Sequence, residues 1–390
     1  MHRPTDPTTL RRAALHAVLA STLCLLAVAA FADTPTNHFT VTNSCPYDLW
    51  IEQDFKFKTP DPIVVQIPAG ESYDYEIPAE GLASTRFWAK ANCNIYGYDC
   101  AVGESVGVPS AQAAGHQTSR TIYDPPIDSK FEATWGCLLA DPNDCAANPS
   151  APQQKLGSAT YWDGSAVDGY TFAYTIDVSP AVQGGTLSCA DGNTGQPLAD
   201  PSVDCGKLHP AACPTTENLS TGGEYNNING HNVTSVNLQY QAYTDAADVV
   251  GCFSPCTKLT SSQWEGWATV LGGLQPNSPQ AQMYCCPTPP VSAADCRAGV
   301  AATSEYHESI HTRQKCNAYA YAYDDGIGLV KCEGAVKYEL TICPNGNSLS
   351  VPTQRREPQT FCNPNTSPPQ VCPNGTACPD CGEDACPCPL

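Results

Sequence analysis

The chain of 390 residues carries 39 Asp and Glu against 19 Lys and Arg, a net charge of −20, with 35 Pro, 29 Gly and 23 Cys. So acidic a chain repels phosphate backbones and anionic headgroups, which argues against nucleic acid and anionic membranes as partners. The Pro and Gly content, with few long helical patterns, favours short strands and loops around a sizeable core, an all-β prior.

In chain order, Arg3, Arg11 and Arg12 precede an apolar run from Ala13 to Phe31 that ends in Ala30-Phe31-Ala32, the layout of a signal peptide (residues 1–32) cleaved before Asp33. The expected destination is extracellular, or periplasmic in a bacterium, and no later run reaches the ~20 apolar residues of a membrane span. Only Cys24 lies in the signal, so 22 Cys remain, and an even, dense set in an exported chain reads as disulfides. From His38 the text is strand-like: Phe39 and Val41, then Leu49 and Ile51, then Ile63 to Ile67, then Tyr73 to Ile77, with period-two alternation broken by Pro, Gly and Asn. That pattern predicts antiparallel sheets. It returns at Tyr170–Ile176 and Lys337–Ile342, so the far end of the chain is expected to complete the sheet.

Between Cys189 and Cys332 the cysteines crowd together, with helical candidates at Ser261–Leu271 and Ser304–Gln314, which predicts a second, disulfide-tied subdomain. The second candidate contains His307-Glu308-Ser309-Ile310-His311, an H-E-x-x-H pattern. In a zinc peptidase two such His side chains bind the metal and the Glu acts as base. No third ligand follows at a familiar spacing, so the pattern is assigned to a solvated helix, and no metal or cofactor is expected. After Pro344 the composition turns to Pro, Asn, Gly and Cys, ending in Cys362, Cys372, Cys378, Cys381, Cys386 and Cys388; this tail is expected to hold local disulfides rather than a metal. Asn218, Asn232, Asn365 and Asn374 open glycosylation sequons.

The opening Phe39-Thr40-Val41-Thr42-Asn43-Ser44-Cys45-Pro46-Tyr47-Asp48-Leu49-Trp50 resembles the first strands of thaumatin-like proteins, the pathogenesis-related, osmotin- and zeamatin-like family. Four further segments follow in that family's order. They are Arg86-Phe87-Trp88 with Cys93, Gly97-Tyr98-Asp99-Cys100 with Gly103-Glu104, Asp163 to Asp168-Gly169-Tyr170, and Asn317-Ala318-Tyr319-Ala320-Tyr321-Ala322-Tyr323-Asp324-Asp325 leading to Cys343-Pro344. The resemblance spans His38 to about Pro344. It implies a thaumatin-like antiparallel β-sandwich with a disulfide-rich, partly helical second subdomain: a domain over 38–346, with the sheet core at 38–188 and 331–346, the subdomain at 189–330, and a tail at 347–390. Spacing alone leaves the cysteine connectivity open. The resemblance implies Cys45 with Cys343, Cys93 with Cys100, Cys189 with Cys332, Cys205 with Cys316, Cys213 with Cys252, Cys256 with Cys285, and Cys286 with Cys296. Ser105 stands where the family has a half-cystine after the Gly-Asp pair, here Gly103-Glu104, so one bridge is missing and Cys137 with Cys145 is expected as a local substitute. Insertions between Val106 and Lys130, and between Cys189 and Cys252, lengthen loops near the expected cleft.

Defence-type members of the family line a groove with an Arg, a Glu and three Asp, whose counterparts by resemblance are Arg86, Glu132, Asp163, Asp168 and Asp324, the last interchangeable with Asp325. Carboxylates crowded in one groove cannot all ionise normally: repulsion raises one while an Arg holds another charged. That division suits glycoside hydrolysis, with Glu132 as acid and Asp163 or Asp168 as base or nucleophile, while Arg86 and Asp324 bind substrate. The same groups can accept hydrogen bonds from sugar hydroxyls without catalysis. Taken singly, each is better explained as a turn former or strand tie and only the matching set favours a cleft, and Trp88 and Trp162 are expected in the core. The expected function is an exported, monomeric, antifungal-like protein that binds a neutral polysaccharide, β-1,3-glucan or a relative, in an acidic cleft. A weak endo-β-1,3-glucanase is the alternative, and a zinc peptidase through His307, Glu308 and His311 a remote one.

Overall fold

The computed structural model describes residues 36–98, 100–103, 127–228, 230–241, 249–261 and 274–351, and the short backbone stretches 361–362 and 386–387. The expected signal peptide, most of the Val106–Lys130 insertion and nearly all of the Cys-rich tail lie outside them. The same holds for the Ser261–Leu271 helix beyond its first residue: a helix is present just before it, at Pro255–Thr260, and Ser261 is its C-cap.

Two sheets pack face to face. The larger draws on β2 (Leu49–Gln53), β3 (Val64–Ile67), β5 (Leu82–Ala91), β6 (Lys130–Trp135), β9 (Ala159–Ser165), β12 (Cys189–Asp191) and β18 (Val330–Glu333), in the order β12-β18-β9-β6-β5-β2-β3. The smaller draws on β1 (His38–Asn43), β4 (Ser72–Glu76), β11 (Tyr174–Pro180), β13 (Val203–Cys205) and β19 (Val336–Ile342), in the order β13-β11-β19-β1-β4. There are also the hairpins β7–β8 (Ala147–Asn148, Ala151–Lys155) and β14–β15 (Asn227–Ile228, His231–Asn232), a three-stranded sheet of β10 (Gly169–Tyr170), β16 (Gln239–Gln241) and β17 (Val249–Phe253), and a pair of two-residue strands in the tail, Phe361–Cys362 with Cys386–Pro387. Pairing is antiparallel except between β1 and β19, which run parallel with His38 opposite Lys337. Thus the end of the chain does fill the middle of a sheet begun at its start.

Alternation decides what each strand buries. Phe87 on β5, Phe131 on β6 and Trp162 on β9 point inward onto Phe39 of β1 and Tyr338 of β19. Phe39 and Phe131 stack with ring centroids 4.6 Å apart, and Trp135 meets Tyr338 edge-on at 5.2 Å. Aromatic pairs of this kind add about 0.5–1.5 kcal/mol each beyond their buried area. Trp162 is therefore core, as expected. Trp88 is also buried, but on the opposite face of the same sheet, beside Lys90 and Lys130.

The predicted strand Tyr170–Ile176 is broken in two. Tyr170 pairs with Cys252 in the three-stranded sheet, and four residues later Tyr174 pairs with Cys205 and Ile342 in the smaller sheet, so the chain changes sheets at Thr171–Ala173. The larger sheet also runs past Ser188, since β12 joins its edge. Beyond it, short helices at Gln282–Cys285, Ala293–Arg297 and Glu305–Glu308 pack among Leu219, Leu238, Leu259, Tyr284 and Ile310. The expected helix at Ser304–Gln314 starts with Ser304 as N-cap, its hydroxyl accepting from His307 N, and widens into a π-turn at Ser309–Arg313. No helix among the described residues is long and apolar enough to cross a membrane.

Among the described residues, eight disulfides join the same eight pairs that the resemblance and the local Cys137–Cys145 assignment name, with S–S distances of 1.82–2.05 Å. Cys45–Cys343 spans 298 residues and ties the end of β1 to the end of β19. In the chain-entropy picture a loop that long is worth about 5 kcal/mol, less where other bridges already shorten it.

Candidate functional site

The outer face of the larger sheet carries its side chains in cross-strand rows, because residues directly opposite in antiparallel strands share a face. In one row Arg86 of β5 stands opposite Glu132 of β6, which stands opposite Asp163 of β9. Arg86 Nε lies 2.5 Å from Glu132 Oε1, with the Arg side chain 54% and the Glu side chain 25% exposed. The row on one side, Glu52, Trp88, Lys130 and Ser165, is buried. On the other side Thr134, Tyr161 and Lys331 border an open cleft of about 440 Å³ with Lys155, Ser158 and Glu333.

Asp168, just beyond β9, accepts from Lys130 Nζ at 2.8 Å and adds its negative charge to the surroundings of Arg86. From the other side comes the Tyr-rich segment. Tyr319 N donates to Gly164 O at 2.9 Å and Ala166 N to Tyr319 O at 2.8 Å, which lays that segment along the edge of β9. Tyr319 Oη then donates to Asp325 Oδ1 at 2.8 Å, and Arg297 pairs with the other oxygen. Four of the five expected residues, Arg86, Glu132, Asp163 and Asp168, thus share one neighbourhood, where Asp325 contributes to the field at Asp163.

Asp324 does not join them. It is 4% exposed, and its carboxylate accepts from Ala320 N at 2.9 Å and lies 2.7 Å from His311 Nε2 and 3.7 Å from His307 Nε2. The chain turns into the short helix Asp325–Gly328 at this point, and consecutive side chains in a turn diverge, so one Asp faces the sheet and its neighbour the histidine helix. In the open choice between the two, the structure places Asp325, not Asp324, beside the row.

The electrostatics separate the carboxyls. Burial pushes the Asp163 carboxyl well above its usual range; the negative charge of Glu132 pushes the same way, Arg86 pulls back, and Asp325 adds to the rise. Glu132, by contrast, is held in an ion pair whose partner stays cationic: Arg86 is raised chiefly by the Glu132 charge, against the lowering effect of burial. Lys130 also remains charged, because Asp168 and Asp128 outweigh the burial that would lower it. This neighbourhood therefore offers two fixed cations, one ion-paired carboxylate and one carboxyl favoured in its neutral form, a mixed set of donors and acceptors. Lys130 stands outside the set expected from the sequence, although period two already puts it on the face of Glu132. Tyr161, exposed two residues from Asp163, stands outside it in the same way.

No family model matches the chain. Among curated proteins it is 23% identical over 331 residues to thaumatin-like protein 2 of Prunus persica, covering 85% of this chain and 98% of that one. It is 25% identical to thaumatin-like protein 1a of Malus domestica, over 82% and 95% of the two chains. A glucan endo-1,3-beta-glucosidase of Prunus avium is 21% identical, over 82% and 95%. Among solved structures a thaumatin-like xylanase inhibitor aligns at 14% identity over 36% of this chain and 76% of that one, with a TM-score of 0.23. Alignment over most of the chain to several such proteins, on a mostly β, disulfide-rich sandwich, makes this chain similar to thaumatin-like and osmotin-like proteins along most of its length.

Proposed function

We propose that the chain is an exported, defence-type carbohydrate-binding protein that acts as a monomer and holds a neutral polysaccharide, β-1,3-glucan or a close relative, in the groove of Arg86, Glu132, Asp163, Asp168 and Asp325. One observation carries the reading: the cross-strand row Arg86–Glu132–Asp163 runs beside an open cleft edged by Tyr161. Sugar hydroxyls donate to carboxylates and accept from guanidinium, ammonium and neutral carboxyl groups, and an exposed phenol ring can lie against a sugar face. A relative named as an endo-1,3-β-glucosidase supports the choice of glucan. In the same reading the sandwich forms one subdomain and the disulfide-rich region from about residue 192 to 329 the other, with residues 1–32 removed on export and 347–390 a separate tail.

A second reading, weak endo-glucanase activity, is favoured by the raised Asp163 carboxyl. It reverses the roles expected from sequence: Asp163, neutral, protonates the leaving oxygen, and Glu132, ionised beside Arg86, attacks or activates water. Facing strands hold directly opposed Cβ atoms about 4.5–5.5 Å apart, which suits a retaining pair whose carboxyls stand about 5–5.5 Å apart. The test is retention on insoluble β-1,3-glucan by the wild type and by the Asp163→Asn/Asp168→Asn double variant, with released reducing ends assayed in parallel. The binding reading expects the wild type to be retained and the variant not, and equal retention would overturn the groove assignment. The hydrolytic reading requires reducing ends from the wild type that disappear in Asp163→Asn alone.

A further inference from the structure

We infer that His307, His311 and Asp324 form a binding site for a divalent metal ion of the zinc type. The two histidines lie four residues apart and therefore on one face of the helix, with ring centroids 4.5 Å apart. Asp324 returns to that face from the Tyr-rich turn, and one ligand atom from each of the three residues lies within 4.8 Å of the others. The expectation of no metal rested on the lack of a third ligand at a familiar spacing. Asp324 supplies one from a separate segment.

Hydrogen bonding prepares the cluster. His311 Nδ1 is 2.8 Å from the carbonyl oxygen of Cys316, and a carbonyl can only accept, so Nδ1 carries hydrogen and Nε2 faces the Asp324 carboxylate at 2.7 Å. An acceptor nitrogen and a carboxylate at that distance need a cation between them. A second proton on His311 is one such cation, and a metal ion that displaces it is the other. A His whose remote N–H is tied to a carbonyl is the usual outer arrangement around a bound metal. The anchors are rigid: Cys316 is bonded to Cys205, and Ala320 N holds Asp324 Oδ2 at 2.9 Å.

Asp324 and His311 sit deep, with side chains 5% and 11% exposed, whereas His307 at 24% opens the cluster to solvent and leaves room for water as a fourth ligand. Two imidazoles with one carboxylate select zinc and its neighbours over calcium or magnesium, which take oxygen donors. Glu308, the base of the peptidase pattern, is exposed, as the residue next to His307 on a helix should be. The role is thus a clamp rather than a catalyst: the ion would fasten the Glu305–Arg313 helix to the turn that also sets Asp325.

The test uses the full disulfide-bonded chain, stripped with chelator and titrated with zinc chloride by calorimetry, then with cobalt chloride for the absorption spectrum of a four-coordinate ion. The wild type should bind one equivalent. His307→Ala and Asp324→Asn should each lose more affinity than the roughly 10–100-fold that accompanies loss of an outer partner. His307→Ala, at the most open position, keeps the test valid should Asp324→Asn fail to fold. No binding by the wild type, or binding unchanged in a folded His307→Ala variant, overturns the site. Glucan retention is read separately, so failure here leaves the groove assignment standing.

Discussion

One face of one sheet carries two cation–carboxylate pairs with opposite fates. Lys90 Nζ and Glu52 Oε2 lie 2.5 Å apart with both side chains wholly buried, beneath the Cys93–Cys100 loop whose Tyr98 ring lies 4.5 Å from the ammonium. Arg86 and Glu132 are paired at the same distance on the neighbouring strands but remain open to water. Register makes both pairs. Among the described residues, what differs is the cover: a short disulfide loop folds over one end of the face and not over the other. A sealed pair serves the fold, because breaking it leaves a charge in the interior; an open pair is cheap to hold and free to meet a ligand.

The comparison breaks most visibly at the sealed end. Lys90→Met should cost about 3–5 kcal/mol in denaturant unfolding, since it removes one member of a buried pair, while replacing Lys90 and Glu52 together by apolar residues should recover much of that loss. If the single variant proves as stable as the wild type, the sealed pair has no structural weight. The next effect lies in pH. Because the Asp163 carboxyl is raised above its ordinary 3.8, the folded protein binds more protons than the unfolded chain as pH climbs past that value. This group's contribution to stability is therefore intact below the unfolded value and is lost as pH rises through the folded one. Asp163→Asn should flatten that part of the stability–pH curve and raise stability at neutral pH; an unchanged slope would place the proton elsewhere. Smallest is Arg86→Ala, an exposed partner, which should change stability by no more than about 1 kcal/mol while reducing retention on insoluble glucan. Equal losses at Arg86 and Lys90 would erase the distinction between the two ends.

Much of the fold could be read from alternation, because Phe87, Ala89 and Ala91 on β5 and Phe131, Ala133 and Trp135 on β6 recur at every second position and leave little choice of register. The row Arg86–Glu132–Asp163 was legible as a set, but only through resemblance, since nothing local to Glu132 says that Asp163 will lie opposite it. The roles of the two carboxyls were not legible. Which one loses water depends on what packs against each, and the segment around Tyr319 that lies along the end of β9 comes from far along the chain. The pair Asp324-Asp325 shows the limit in its smallest form: two identical neighbours part company because a turn falls between them, and no composition or period marks that turn. The His307–His311 pattern is legible in the sequence, but the third group beside it, Asp324, arrives from outside the helix.

The parallel pairing of β1 with β19 has a consequence for how the molecule is made. A chain that emerges from its N-terminus presents Cys45 nearly 300 residues before Cys343. At synthesis rates of about 5–20 residues per second the wait is roughly 15–60 s, during which the smaller sheet lacks its middle strand. Throughout that interval the Cys45 thiol is available to Cys93 and Cys100, which emerge first, so the opening strand depends on thiol exchange, or on protection from it, until the last one arrives.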